Sequence, residues 1–141
     1  MNDATGLDTN ILARYYVNDE SDAASLQQRQ AARKLIESGR PLAVSKTVIL
    51  ELEWVLRGYY HFAAEDISKV FFHMLAQAHI HVEDRRCVEQ AISNHAAGLD
   101  FADALHHASY AKCKAMASFD DRRFARRARK LSLVPVIQIP R

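Results

Sequence analysis

The chain has 141 residues, 49% of them apolar and 26% charged, which is the size and make-up of one soluble globular domain. Disordered, collagen-like and coiled-coil classes are excluded, and a single domain over residues 1–141 is expected. Nineteen Lys and Arg against 17 Asp and Glu leave a net charge of +2, too small to argue for nucleic acid by itself.

Cys87 and Cys113 stand apart and make neither a CxxC pair nor a disulfide framework, which suits a reducing cytoplasm. The seven histidines show no zinc spacing beyond His79-x-His81 and His106-His107. No run approaches the roughly 18 apolar residues of a membrane span, and the first residues carry neither a basic leader nor an apolar core, so neither insertion nor export is expected.

In chain order, apolar runs at residues 4–7, 41–44, 79–82, 115–119 and 133–137 read as buried strands. Segments of helical period fall between and after them, at residues 10–17, 22–38, 46–57, 65–76, 83–97, 101–114 and 122–131. Ser45 and Asp100 stand where helix N-caps are needed, while Gly39, Gly58 and Gly98 stand where helices stop. Strands alternating with helices imply an α/β fold with a mainly parallel sheet of four to five strands, covered on both faces. Such sheets bind ligands beyond the carboxyl ends of their strands, so the residues just after each strand matter most.

Asp8 follows the first strand in Asp8-Thr9-Asn10; taken alone, it reads as an ordinary N-cap. The third helix carries Glu51 and Glu53. Arg57 lies four residues after Glu53, the spacing of a solvated ion pair, whereas the turn neighbours of Glu51 are Thr47, Val48, Trp54 and Val55. Glu51 is therefore the carboxylate without a local partner, and a metal ion is one partner that would offset its cost among apolar neighbours. Asp100 and Asp103 lie three apart at a helix start and so converge on one turn; Asp103 falls opposite the apolar stripe of Phe101, Ala104, Leu105 and Ala108. Ser118, Asp120 and Asp121 end the fourth strand, and the helix that follows carries Arg122, Arg123, Arg126, Arg127, Arg129 and Lys130, with Phe124, Ala125, Ala128 and Leu131 turned inward. That basic run fits either a solvated face or a phosphate-binding strip.

Carboxylates after strand 1, in the third helix, at a late helix start and after strand 4 form a set that resembles the PIN-domain ribonucleases. More narrowly, Leu7-Asp8-Thr9-Asn10-Ile11-Leu12, the helix from Val48 to Leu56, Asp100-Phe101-Ala102-Asp103-Ala104-Leu105 and Ser118-Phe119-Asp120 are similar to the VapC-type toxins of bacterial toxin-antitoxin pairs. The resemblance implies a three-layer α/β/α sandwich and places metal-binding acids at Asp8, Glu51, Asp103 and Asp120, with Asp100 accessory to them. It gives Asn10 the task of ordering the strand-1 acid and sets Ser118 where the family has Thr or Ser. The Asp120-Asp121 doublet and Glu53 leave rivals for two of these positions.

Ligands of oxygen alone suit Mg²⁺, with Mn²⁺ as a substitute, better than zinc. The implied activity is metal-dependent endoribonuclease hydrolysis, with Arg122 and Arg126 as candidate guides for the RNA strand. The resemblance further implies a homodimer and a cognate antitoxin protein that blocks the acidic cleft. Two other classes stay open on residues alone. One is an aspartate phosphoacceptor module of the signalling type, which also gathers aspartates at strand ends; the other is a PIN-like binding protein without chemistry.

Overall fold

Each of the five apolar runs forms a strand and each segment of helical period forms a helix in the computed structural model, which describes residues 3–19 and 21–141. The chain divides into two units, Met1–Glu83 and Asp84–Arg141. Among the described residues no helix is long and apolar enough to cross a membrane.

In the first unit β1 (Thr5–Gly6), α1 (Thr9–Tyr16), α2 (Ala23–Ile36), β2 (Leu42–Val44), α3 (Lys46–Gly58), α4 (Ala64–Ala76) and β3 (Ile80–Val82) follow one another. The strands make a parallel sheet in the order β1-β2-β3, with Gly6 opposite Ala43 and Ala43 opposite His81. Short β1 continues in Leu7, whose N–H donates to the Ala43 carbonyl at 2.9 Å and whose side chain is buried. That bond sets where the chain leaves the sheet, and therefore where Asp8 begins.

Helix α2 starts at Asp22, whose carboxylate accepts from the Ser25 N–H at 2.7 Å, and the chain turns after it at Gly39, which has a φ of +78° that side chains rarely adopt. Helix α3 starts at Ser45, whose hydroxyl accepts from the Val48 N–H at 3.2 Å. Its buried positions are Ile49, Leu52, Glu53 and Leu56, an i, i+3, i+4, i+7 stripe. Each such aliphatic side chain taken from water contributes about 1.5–3 kcal/mol.

Glu53 thus belongs to the inward stripe. The sequence expectation of a solvated Glu53–Arg57 pair is overturned: the Glu53 side chain is 3% exposed, and Arg57, 51% exposed, reaches it with Nε at 2.8 Å and Nη2 at 3.4 Å. Spacing of four residues reports only that two side chains can meet; the apolar residues around α3 are too many for sequence to show which face is buried. Glu51 lies two residues, or roughly 200°, away from Glu53 and is exposed. The argument that Glu51 is a carboxylate buried among apolar neighbours therefore fails as well.

In the second unit α5 (Arg85–Ala96), α6 (Phe101–Ser109), β4 (Ala115–Ala117), a π-helical turn (Asp121–Ala125), α7 (Arg126–Lys130) and β5 (Val136–Gln138) follow in order. Strands β4 and β5 pair in parallel, Met116 opposite Ile137. Every strand pair is therefore parallel, in one ladder of three and one of two. Val88, Ala91 and Ile92 of α5 and Phe101, Ala104 and Leu105 of α6 are buried, and the two helices pack on each other.

Among the boundaries that differ from the sequence reading, three have a visible cause. Helix α6 ends at Ser109 rather than residue 114, because the Ser109 hydroxyl donates back to the Leu105 carbonyl at 2.7 Å and the Tyr110 N–H closes on His107 at 3.0 Å, tightening the last turn. The helix expected from residue 122 opens one residue earlier as a wider turn, in which the Ala125 N–H reaches five residues back to the Asp120 carbonyl at 3.0 Å. Strand β5 begins at Val136, after Pro135, which has no N–H for a ladder.

The Glu53–Arg57 geometry has a measurable consequence. Arg57→Ala leaves a buried carboxylate without its guanidinium and should cost about 1.5–3 kcal/mol in denaturant unfolding, the range for hydrogen bonds to charged groups. Combining it with Glu53→Leu should recover most of that loss, because an apolar side chain of similar volume needs no partner. A loss below about 0.5 kcal/mol for Arg57→Ala would restore the solvated pair.

Candidate active site

Asp8 takes its place from the helix that follows it. Its backbone is extended (φ −81°, ψ 160°), its carbonyl accepts from Ile11 and Leu12, and its Oδ1 accepts from the Thr9 N–H at 2.7 Å. The N-cap reading of Asp8 is thus correct, and it does not compete with a functional one: the cap holds an exposed carboxylate at the end of β1. The bond that orients Asp8 comes from the Thr9 backbone. Asn10 lines the same pocket as Asp8. Thr9 itself is 5% exposed, and its Oγ1 finds no hydrogen-bond partner among the described residues.

Asp8, Thr9, Asn10, Ala13, Arg14, Glu51, Val55, Tyr59 and Tyr60 line this pocket of about 530 Å³ within the first unit. Glu51 and Asp8 therefore share one cleft. The sequence singled out Glu51 for a reason the structure does not support; what brings Glu51 into this pocket is its position off the buried stripe of α3.

A second acidic pocket, of about 410 Å³, lies within the second unit and is lined by Gly98, Leu99, Asp100, Asp103, Asp120, Arg123, Phe124 and Arg127. Asp100 caps α6, its Oδ2 accepting from the Asp103 N–H at 3.2 Å. Asp120 caps the π-helical turn, its Oδ1 accepting from Arg123 N–H at 3.0 Å and Phe124 N–H at 3.3 Å. Those two bonds hold the Asp120 carboxyl below the ordinary aspartate range, with Arg123 and Arg127 adding to the effect. Ser118 acts on the backbone of Asp120: its Oγ accepts from the Asp120 N–H at 3.1 Å. Asp121 turns elsewhere and meets Arg129 at 3.1 Å. The doublet is resolved in favour of Asp120 as the pocket residue.

Asp103 is different. It lies opposite Phe101, Ala104, Leu105 and Ala108 yet is half-buried in the pocket, and burial followed by the charges of Asp100 and Asp120 pushes its carboxyl above the ordinary range, with His106 opposing. Like charges converge here without a full counter-charge.

Among the described residues no group of three or more His, Cys, Asp or Glu side chains is arranged to hold a metal ion. The donor chemistry nevertheless suits a hard cation. All five acids offer oxygen alone, three of them spend one oxygen on a helix N–H, and Asp103 carries the repulsion that a cation would relieve.

The sequence reading did not place Arg14, Tyr59 or Tyr60 beside the first pair of acids, and it chose Arg122 and Arg126 from the basic run. Arg123 and Arg127 line the acidic pocket instead, and Arg127 donates to the Gly98 carbonyl at 3.0 Å. Their i, i+4 spacing was visible; the wider turn that aims them was not.

The PIN-domain family model matches residues 7–130 and so runs through both units. The chain belongs to the PIN-domain family. Its fold is accordingly of the nuclease type, α/β with parallel strands. Comparison with curated proteins gives no match.

Asp103→Asn tests the electrostatics of this PIN chain. A carboxyl whose folded pKa is raised favours the folded state most when protonated, and that advantage is lost as pH rises from the unfolded pKa through the folded one. In EDTA, Asp103→Asn should therefore melt at a higher temperature than the wild type at pH 7, with the gain vanishing below the ordinary aspartate range. A lower melting temperature at pH 7 would show that the carboxylate stabilises the fold.

Proposed function

We propose that this single PIN domain, spanning residues 1–141, is a Mg²⁺-dependent endoribonuclease that hydrolyses RNA phosphodiesters and serves as the toxin of a toxin-antitoxin pair. The observation that carries the nuclease reading is that every acid at the family's motif positions lines an open pocket: Asp8 and Glu51 in one unit, Asp100, Asp103 and Asp120 in the other. The match across residues 7–130 covers both acid groups and supports the nuclease reading.

Asp8 and Glu51 of the first unit and Asp103 and Asp120 of the second are proposed as metal-binding acids, with Asp100 accessory in the second; Mn²⁺ is the expected substitute for Mg²⁺. A bound ion would supply activation of water for attack on phosphorus and charge to offset that on the leaving oxygen. The chain's own residues do the rest. Ser118 keeps Asp120 in place through its backbone N–H, Asn10 serves beside Asp8, and Arg123 and Arg127 attract an RNA phosphate toward carboxylates that would otherwise repel it. No side-chain nucleophile is needed.

The toxin role rests on the VapC-like motifs around Asp8, Glu51, Asp103 and Asp120. It brings with it a cytoplasmic site of action, a homodimer and a cognate antitoxin, whose basic side chain suits the acidic pockets.

Purified protein should cleave RNA with Mg²⁺ or Mn²⁺ and stop in EDTA. Asp8→Asn and Glu51→Gln should each lower cleavage at least a hundredfold and abolish growth arrest on expression in bacteria, while keeping the wild-type circular dichroism. Undiminished cleavage by either variant would remove that acid from the machinery.

A further inference from the structure

Cys87, Gln90 and Asn94 fall at i, i+3 and i+7 of α5 and so share one face of that helix. Cys87 and Asn94 are buried, and the Asn94 Oδ1 accepts from the Gln90 side-chain amide at 3.0 Å. That bond engages the Gln90 nitrogen and the Asn94 oxygen; among the described residues the Gln90 oxygen and the Asn94 nitrogen are not engaged. On α6, His107 of the His106-His107 pair turns inward and is 2% exposed. Its Nε2 stands 2.8 Å from the Pro135 carbonyl, which can only accept, so Nε2 carries the proton. In the neutral ring Nδ1 is then an acceptor, and it is buried without a partner among the described residues.

These side chains line one cavity of about 710 Å³ within the second unit, the size of a small-molecule site. Ala108, Ala111, Leu133 and Val134 give it apolar walls, and Arg86 and Lys112 set two cations against the single carboxylate of Asp84. The walls are pre-formed. Cys87 Sγ lies 3.4 Å from Ser109 Oγ, the Cys113 N–H donates to the Tyr110 carbonyl at 2.8 Å, and the Leu133 N–H donates to the Ala128 carbonyl at 3.0 Å. The cavity shares no residue with either acidic pocket, so the proposed hydrolysis gives it no task.

The lining selects the chemistry of an occupant. A side-chain amide offers a donor and an acceptor side by side, the pattern that pairs with an adenine edge, and a bare imidazole nitrogen accepts from an amine. Apolar walls match the faces of a flat heterocycle, and the excess of cations matches one phosphate. A metal ion fits less well, since among the described residues no three His, Cys, Asp or Glu side chains are gathered to hold one. We propose that this cavity binds a free nucleoside monophosphate, its base toward Gln90, Asn94 and His107 and its phosphate toward Arg86 and Lys112. The inference goes beyond the nuclease reading and stands without it.

Isothermal titration calorimetry of the full chain in EDTA, with AMP, adenosine and inorganic phosphate as probes, tests it. AMP should bind with a Kd below about 1 mM, and adenosine and phosphate each at least tenfold more weakly. Ala111→Trp changes an exposed wall residue and should lower AMP affinity at least tenfold by filling the space, while keeping the wild-type circular dichroism. Arg86→Glu combined with Lys112→Glu should weaken AMP about 10- to 150-fold and leave adenosine unchanged. No binding of AMP at 1 mM, or undiminished AMP binding by either variant, would overturn the proposal. Phosphate binding as tightly as AMP would also overturn it, since the base would then contribute nothing. A 5′-phosphorylated adenosine tetramer that displaces AMP and binds more tightly, with the same loss in Ala111→Trp, would overturn it in favour of an RNA end. None of these outcomes bears on whether the chain cleaves RNA with Mg²⁺.

Discussion

Hydrogen bonds from helix-start N–H groups to carboxylates are the interaction on which both acidic pockets depend. Asp8 takes one from Thr9, Asp100 one from Asp103, and Asp120 two from Arg123 and Phe124. The first turn of a helix has donors without partners inside the helix and a positive dipole end, so a carboxylate there is held in both position and charge. Structural cap and pocket-lining acid are thus one residue in one conformation. A chain that needs negative charge gathered at strand ends obtains it cheaply by starting a helix at each acid.

Asp103 shows what that arrangement leaves over. It sits inside the first turn of α6, so its own N–H serves Asp100 while its carboxylate faces the neighbours that the caps have fixed. Its carboxyl is raised first by burial and then by the charges of Asp100 and Asp120. Arg123 and Arg127 compensate in part, and the same two guanidinium groups suit the phosphate of an approaching strand.

Much of this was legible in the chain. Each strand and helix lies where apolar period and turn residues put it, and Ser45 and Asp100 cap the helices they were expected to cap. Asp8 and Asp120 were legible because residue type and place after a strand both point to them, whereas Glu51, Asp100 and Asp103 lie on or at the start of helices and stood out through their neighbours and the family resemblance. Glu53 was not, since α3 is apolar nearly all round and only packing decides which of its faces is inward. The split of the basic segment into a π-helical turn and α7 escaped notice because it depends on Asp120 bonding two successive N–H groups, a choice no periodicity encodes. Tyr59 and Tyr60 carried no directional signal until the end of α3 was placed beside Glu51.

If these carboxylates serve a hydrolase, water is the nucleophile and the RNA 2′-hydroxyl is a bystander. The chemistry of the cut ends reports this directly. Mass spectrometry of fragments from a defined RNA cleaved by the wild-type chain in Mg²⁺ should find one end carrying a linear phosphomonoester and the other a hydroxyl from the earliest times. A 2′,3′-cyclic phosphate as the first product would mean attack by the 2′-hydroxyl, and would contradict the account.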